Sequence, residues 1–177
     1  MMIKFARFNT YLAAAIWLPL VCGCQSPQSK KEKEEKKQAT IIELHLEVNR
    51  DGAGDNEAVP IYRENPILVN VSKSPFVDGA SVVGASVVDD EGGFAIRLKF
   101  NWQGAVLLQE ATTGNRDKRI AVFCNFGPSR WLASPVIRKG ISDGIFTFTP
   151  DATREEAERI VRGLNNLAKK IKEDDKL

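Results

Sequence analysis

Apolar Ile42, Leu44, Leu46 and Val48 alternate with Ile41, Glu43, His45 and Glu47, and this period of two predicts a strand over residues 41–48. Phe94, Ile96, Leu98 and Phe100 share one face of a second strand, 94–100. A strand over 82–88 comes before it, joined through the turn Asp89-Asp90-Glu91-Gly92-Gly93. Residues 59–62 and 66–71 read as short extended pieces, where Pro60 and Pro66 suit sheet edges rather than a sheet centre. Three further strands are expected over 119–126, 131–138 and 144–149, linked by Gly127-Pro128-Ser129 and by the stretch from Lys139-Gly140 to Gly144.

Two segments change the period from two to about four. Asn101 is placed to cap a helix running to about residue 113, with Trp102, Ala105, Val106 and Leu108 on its apolar face and Gly114 as its stop. Thr153-Arg154-Glu155-Glu156 fits a capping box, in which the hydroxyl and the carboxylate satisfy two orphan amides. Ala157, Ile160, Val161, Leu164, Leu167, Ala168 and Ile171 then form a stripe, with Lys169, Lys170 and Lys172 at the end where the helix dipole favours cations. The pattern predicts an α+β fold: a two-layer sandwich with a mixed, mostly antiparallel sheet and two helices on one face.

Ahead of this domain the pattern is different. Lys4 and Arg7 precede an apolar run over 11–21, too short to span a bilayer and interrupted by Pro19. It ends in Leu20-Val21-Cys22-Gly23-Cys24, which resembles a bacterial lipobox, with Cys24 the acylated residue and new N-terminus. Residues 1–23 are thus expected to be a lipoprotein signal peptide and 24–39 an acylated cysteine with a flexible charged tether. Residues 40–172 form the folded domain and 173–177 a polar tail. The tether, centred on the run from Lys30 to Lys37, has no large apolar residue with which to offset the entropy of ordering it. These features place the chain in a bacterial cell envelope, anchored to a membrane by lipid and facing the periplasm or another extracytoplasmic space.

Charge then excludes one class of partner. Loss of residues 1–23 removes Lys4 and Arg7 and no acid, which leaves 23 basic and 23 acidic side chains. A nucleic-acid binder needs a concentrated basic face, and none is expected here.

Candidate chemistry is sparse. Carboxylates gather at Asp89-Asp90-Glu91, at Asp51 and Asp55, and at Asp174-Asp175, in turns and a tail where such residues bond local backbone. The loop from Asp51 to Asn56 lacks the ligand spacing of a calcium loop. His45, the one histidine, is expected on a solvated strand face, and Cys124 as a small buried hydrophobe beside Ile120, Val122 and Phe126. No catalytic constellation, metal or cofactor is expected. Phe126, Arg130 and Trp131 surround a tight connection and are the candidate partner-binding residues, because Trp and Arg are enriched at binding hot spots. Packing of Trp131 against the core edge is the competing reading. An exposed edge strand, able to pair with an extended peptide, is the second candidate surface.

The stretch from Gly92-Gly93-Phe94-Ala95-Ile96 to Asn101, with Gly104-Ala105, resembles the head part of the first periplasmic domain of SecD, a membrane subunit of the bacterial preprotein translocase. The likeness continues through Lys118-Arg119-Ile120-Ala121-Val122, Ala133-Ser134-Pro135-Val136-Ile137 and Ile141-Ser142-Asp143-Gly144, and ends in Phe148-Thr149 and Thr153-Arg154-Glu155-Glu156-Ala157. It spans roughly residues 75–168. SecD has transmembrane helices that couple it to the proton gradient, and after its signal this chain has none. The resemblance implies the head fold and contact with extended polypeptide. The expected function is therefore a lipid-anchored, non-enzymatic binding or assembly module that contacts exported polypeptides or a translocase-like partner. The alternative is a structural envelope lipoprotein with one fixed protein partner and no role in export.

Overall fold

The computed structural model describes residues 39–50 and 54–175. The signal, Cys24 and nearly all of the tether lie outside the described residues.

The described elements run β1 (Ile41–Leu46), β2 (Asn56–Ile61), β3 (Ile67–Ser72), a 3-10 turn (Gly79–Ser81), β4 (Val82–Asp90) and β5 (Gly93–Phe100), followed by α1 (Trp102–Gly114), β6 (Ile120–Asn125), β7 (Arg130–Ala133), β8 (Ile145–Phe148) and α2 (Arg154–Asp174). The fold is the expected α+β class. Its strands are divided among three sheets, ordered β1-β6-β7, β2-β3 and β4-β5-β8, and every strand pair is antiparallel.

Local chemistry accounts for the boundaries. The β4–β5 hairpin pairs Asp90 with Gly93, and Gly92 closes it at φ 88°, a left-handed conformation that glycine adopts without steric cost. The strand expected over 131–138 is shorter because Pro135 brings no amide; beyond it Val136 forms a lone bridge with Arg119. The capping box at α2 is present in full, with Glu156 N–H donating to Thr153 Oγ1 at 3.1 Å and Thr153 N–H to Glu156 Oε2 at 3.2 Å. Helix α2 runs to Asp174, two residues past the expected domain end.

Helix α1 corrects one expectation. Asn101 Oδ1 caps it by accepting from Gly104 N–H at 2.8 Å, but the buried stripe is Gly104, Leu108 and Thr112. Trp102 is 82% exposed and Val106 43%. A Cβ on Gly104 would lie 2.8 Å from that of Ser81, so the helix docks closely through its small-residue face and turns the bulkier one to solvent.

The main core joins both helices to two sheets through Ile42, Leu44, Ile96, Leu98, Leu108, Ile120, Val122, Leu132, Ile160 and Leu164. A second cluster holds Val59, Ile61, Val69 and Val71 of the β2–β3 hairpin against Ala121, with Tyr62 and Trp131 packed on it. Ala121 projects from β6 opposite to Ile120 and Val122, so the β1-β6-β7 sheet is covered on both faces.

That second cover corrects the reading of His45, which is 6% exposed rather than solvated. Its Nδ1–H donates to Ser72 O at 2.8 Å, and its ring meets Trp131 edge-on at 5.0 Å. Nε2 lies 3.5 Å from Glu43 Oε2 and has no hydrogen-bond partner among the described residues.

Candidate functional site

The connection between β6 and β7 carries the candidate residues Phe126 and Arg130 to the mouth of a cavity of about 200 Å³. Its floor is apolar and buried: Cys124 from β6, Leu132 from β7 and Ile160 from α2. Phe126, Gly127, Pro128, Arg130, Glu156 and Arg159 complete the lining. The loop is held by Ser129 Oγ, 3.1 Å from Asn125 Oδ1, and by Gly127 at φ 62°. The Arg159 guanidinium carbon sits 5.9 Å from the centre of the Phe126 ring, in cation–π range.

Trp131 does not join them. Successive strand residues point to opposite faces, so Arg130 and Leu132 face the cavity and Trp131 faces away. There it packs on the second cluster, edge-on to Phe123 at 5.2 Å and to His45. Cys24 lies outside the described residues.

Four charges fix one rim of the cavity. Arg130 Nη2 donates to Glu156 Oε1 at 3.2 Å, and its Nη1 donates to Asp151 O. Arg63, from the loop between β2 and β3, reaches the same pair: its amide and Nε donate to Asp151 Oδ2 at 2.9 and 3.3 Å, and Nη2 lies 3.5 Å from Glu156 Oε2. Tyr62, left-handed at φ 74°, turns the chain into this position while its hydroxyl accepts from Ser134 N–H at 3.2 Å. Such backbone costs about 1–3 kcal/mol in a bulky residue and persists where surrounding contacts hold it. Burial pushes the Glu156 carboxyl up, but the Thr153 amide, Arg130 and Arg63 outweigh it and hold the pKa below its usual value.

Burial raises the Cys124 thiol to about 12, against a smaller pull downward from Arg130, so it stays protonated. His45 lies on the other face of the sheet. Among the described residues no three His, Cys, Asp or Glu side chains gather to hold a metal. An apolar floor beneath guanidinium groups suits one apolar or aromatic side chain whose neighbours carry carboxylates or backbone carbonyls.

Arg159, Glu156 and Ile160 were not singled out from the sequence as site residues. Spacings of three and four along a helix put them on one face, and that spacing is the signal that could have found them. Arg63 and Asp151 carry no such local signal, being 88 residues apart.

The sequence matches the family model of the SecDF P1 head subdomain over residues 56–167, which takes in the β2–β3 hairpin as well as the stretch named above. Two solved structures share the fold. One, described as a membrane component SecDF that enhances protein export, is 21% identical with a TM-score of 0.57, covering 85% of this chain and 72% of that one. The other, SecDF in a super-membrane-facing form, is 21% identical with a TM-score of 0.58; the match covers 80% of this chain but 21% of the SecDF chain. No curated protein sequence matches. Among the described residues no helix is long and apolar enough to cross a membrane.

Proposed function

We propose, from the premise that this chain belongs to the SecDF P1 head family, that it is a lipid-anchored, non-enzymatic module of the bacterial cell envelope. It binds a polypeptide partner in the extracytoplasmic space, either an exported chain or a translocase-like protein. The observation that carries this is the cavity beside Phe126, Arg130 and Arg159, with its buried floor and guanidinium rim. Its volume, about 200 Å³, is below the usual range of small-molecule pockets, roughly 300–1,000 Å³, and suits a single protruding side chain. Trp131 supports this cavity from the opposite sheet face by fixing β7, and Cys24 is the anchor.

Photocrosslinking in intact cells from position 159, followed by mass spectrometry, tests the reading. Many exported chains among the adducts support handling of unfolded polypeptide, and one abundant protein supports a fixed assembly partner. Absence of any protein adduct would remove this cavity as the partner site. The anchor has its own check. Cys24→Ser is expected to release the protein from membranes, and continued pelleting with them would exclude lipid attachment at that residue.

A further inference from the structure

An exposed sheet edge offers a row of unpaired amides and carbonyls, so how each edge in this molecule is dealt with is informative. At β1, Leu44 N–H donates to Val77 O and Phe76 N–H donates to Leu44 O, both at 2.9 Å. At β3, Val48 N–H donates to Asn70 O at 2.9 Å and Asn70 Nδ2 returns a bond to Val48 O at 3.0 Å. At β7, Asp151 N–H donates to Leu132 O at 2.7 Å. At β2, the bond from Lys73 N–H to Asp55 O sets the alternation so that Pro60 points outward, where its missing amide blocks pairing. At β4, Asn165 acts as a substitute strand: its Oδ1 accepts from Ala85 N–H at 2.9 Å and its Nδ2 donates to Ala85 O at 3.0 Å.

No such device covers β8. The bond from Phe100 N–H to Gly144 O sets the alternation along β5 and β8, which turns the backbone of Ile145 and Thr147 outward. Asp143 Oδ1 takes the Ile145 amide at 3.0 Å. Among the described residues nothing bonds the outward amide or carbonyl of Thr147.

The space beside that edge is divided by chemistry. On the core side is a cavity of about 140 Å³ with Pro135, Ile137 and Phe146 in its wall. On the outer side is one of about 500 Å³ bordered by Arg97, Lys139 and Asp143. Both touch Thr147, Lys139 and Ile141. Arg97 stands directly across from Thr147, and Lys99 across from Ile145. Arg97, Lys99 and Lys139 are exposed and form no ion pair among the described residues, while Asp143 is already engaged.

We propose that the outer edge of β8 is a strand-addition site for an extended polypeptide segment in which apolar and acidic side chains alternate. Side chains of an added strand point alternately to its two faces. The apolar set would enter the cavity beside Phe146, and the acidic set would meet Arg97, Lys99 and Lys139. Backbone bonds to Thr147 supply register, and the charges select the sequence. This deepens the proposed function and rests on its premise that the head receives polypeptide, but it uses a different surface from the Phe126 cavity.

The test is titration of the full chain, with nuclear magnetic resonance detection, against a short peptide alternating valine and glutamate and a matched valine–lysine peptide. The acidic peptide is expected to shift the Ile145 and Thr147 amides, slow hydrogen exchange at Thr147, and bind at least about tenfold more tightly than the basic one, the ratio that 1.4 kcal/mol produces. Arg97→Glu with Lys139→Glu is expected to weaken binding about fivefold to tenfold, since exposed charge pairs contribute modestly. Thr147→Pro, which removes an amide the fold does not use, is expected to abolish binding with circular dichroism unchanged. Equal binding of the two peptides, or undiminished binding to folded Thr147→Pro, would overturn the proposal. Adducts at position 159 together with an unprotected Thr147 amide would overturn strand addition and leave the proposed function standing. A protected Thr147 amide without adducts at 159 would support strand addition and remove the Phe126 cavity from the binding reading.

Discussion

The two edges of the β4-β5-β8 sheet have the same kind of backbone and opposite treatment. At β4 the helix α2 lies alongside, and one side-chain amide pairs both groups of Ala85 as a neighbouring strand would. At β8 the helix has moved on, and Thr147 faces open cavities bordered by Arg97 and Lys139, which form no ion pair among the described residues. The contrast teaches that an edge is defined by what packs over it, since neither strand carries a proline and the two acids of β4, Asp89 and Asp90, stand at its far end, away from Ala85. An edge left open in a protein that covers the others is a candidate for use rather than an accident of chain length.

Proline breaks the comparison most sharply. Ala85→Pro is expected to cost about 3 kcal/mol, since it deletes the amide bonded by Asn165 and puts a ring where that side chain sits. Thr147→Pro, on the open edge of the same sheet, is expected to cost about 1 kcal/mol or less. Chemical denaturation of the two variants measures the difference, and equal losses would mean that β8 is covered after all.

Next in size is Asn165→Ala, which leaves the amide and carbonyl of Ala85 unpaired at an expected cost of about 1–2 kcal/mol. It should also raise hydrogen exchange at Ala85 toward the rate at Thr147, turning the closed edge into an open one. An unchanged exchange rate at Ala85 would show that the helix, not the amide, shields β4.

The smallest effect concerns the β7 edge, closed beside an ion cluster that titrates. Because the folded state holds the Glu156 carboxyl below its ordinary value, its contribution is present above that ordinary pKa and is lost as pH falls through the lower folded value. Glu156→Gln should therefore lower stability at neutral pH and flatten the decline on acidification. Parallel curves for the two proteins, recorded by thermal melting from pH 7 to pH 3, would rule the cluster out as a source of acid sensitivity.

Much of this architecture is legible in residue order because its causes are local. Alternation marks β1 and β5, and Thr153 with Glu156 marks the start of α2. The cavity was legible in part. Phe126 and Arg130 stand out beside a Gly-Pro turn, whereas Arg63 and Asp151 meet only because the β2–β3 hairpin folds over the β1-β6-β7 sheet. The same hairpin decides His45 and Trp131. Alternation puts His45 on a face with Glu43 and Glu47, but it cannot tell that a second layer will cover that face.

The sequence by itself determined the α+β class, the hairpins, the helix caps and the likeness to the SecD head, since these rest on periodicity, caps and motifs within a few residues of each other. Tertiary structure decided the division into three sheets, the burial of His45, the solvent exposure of Trp102 and the open edge at Thr147. Those outcomes depend on which distant surfaces meet, and a period of two or four describes two faces of an element without naming the one that will be covered.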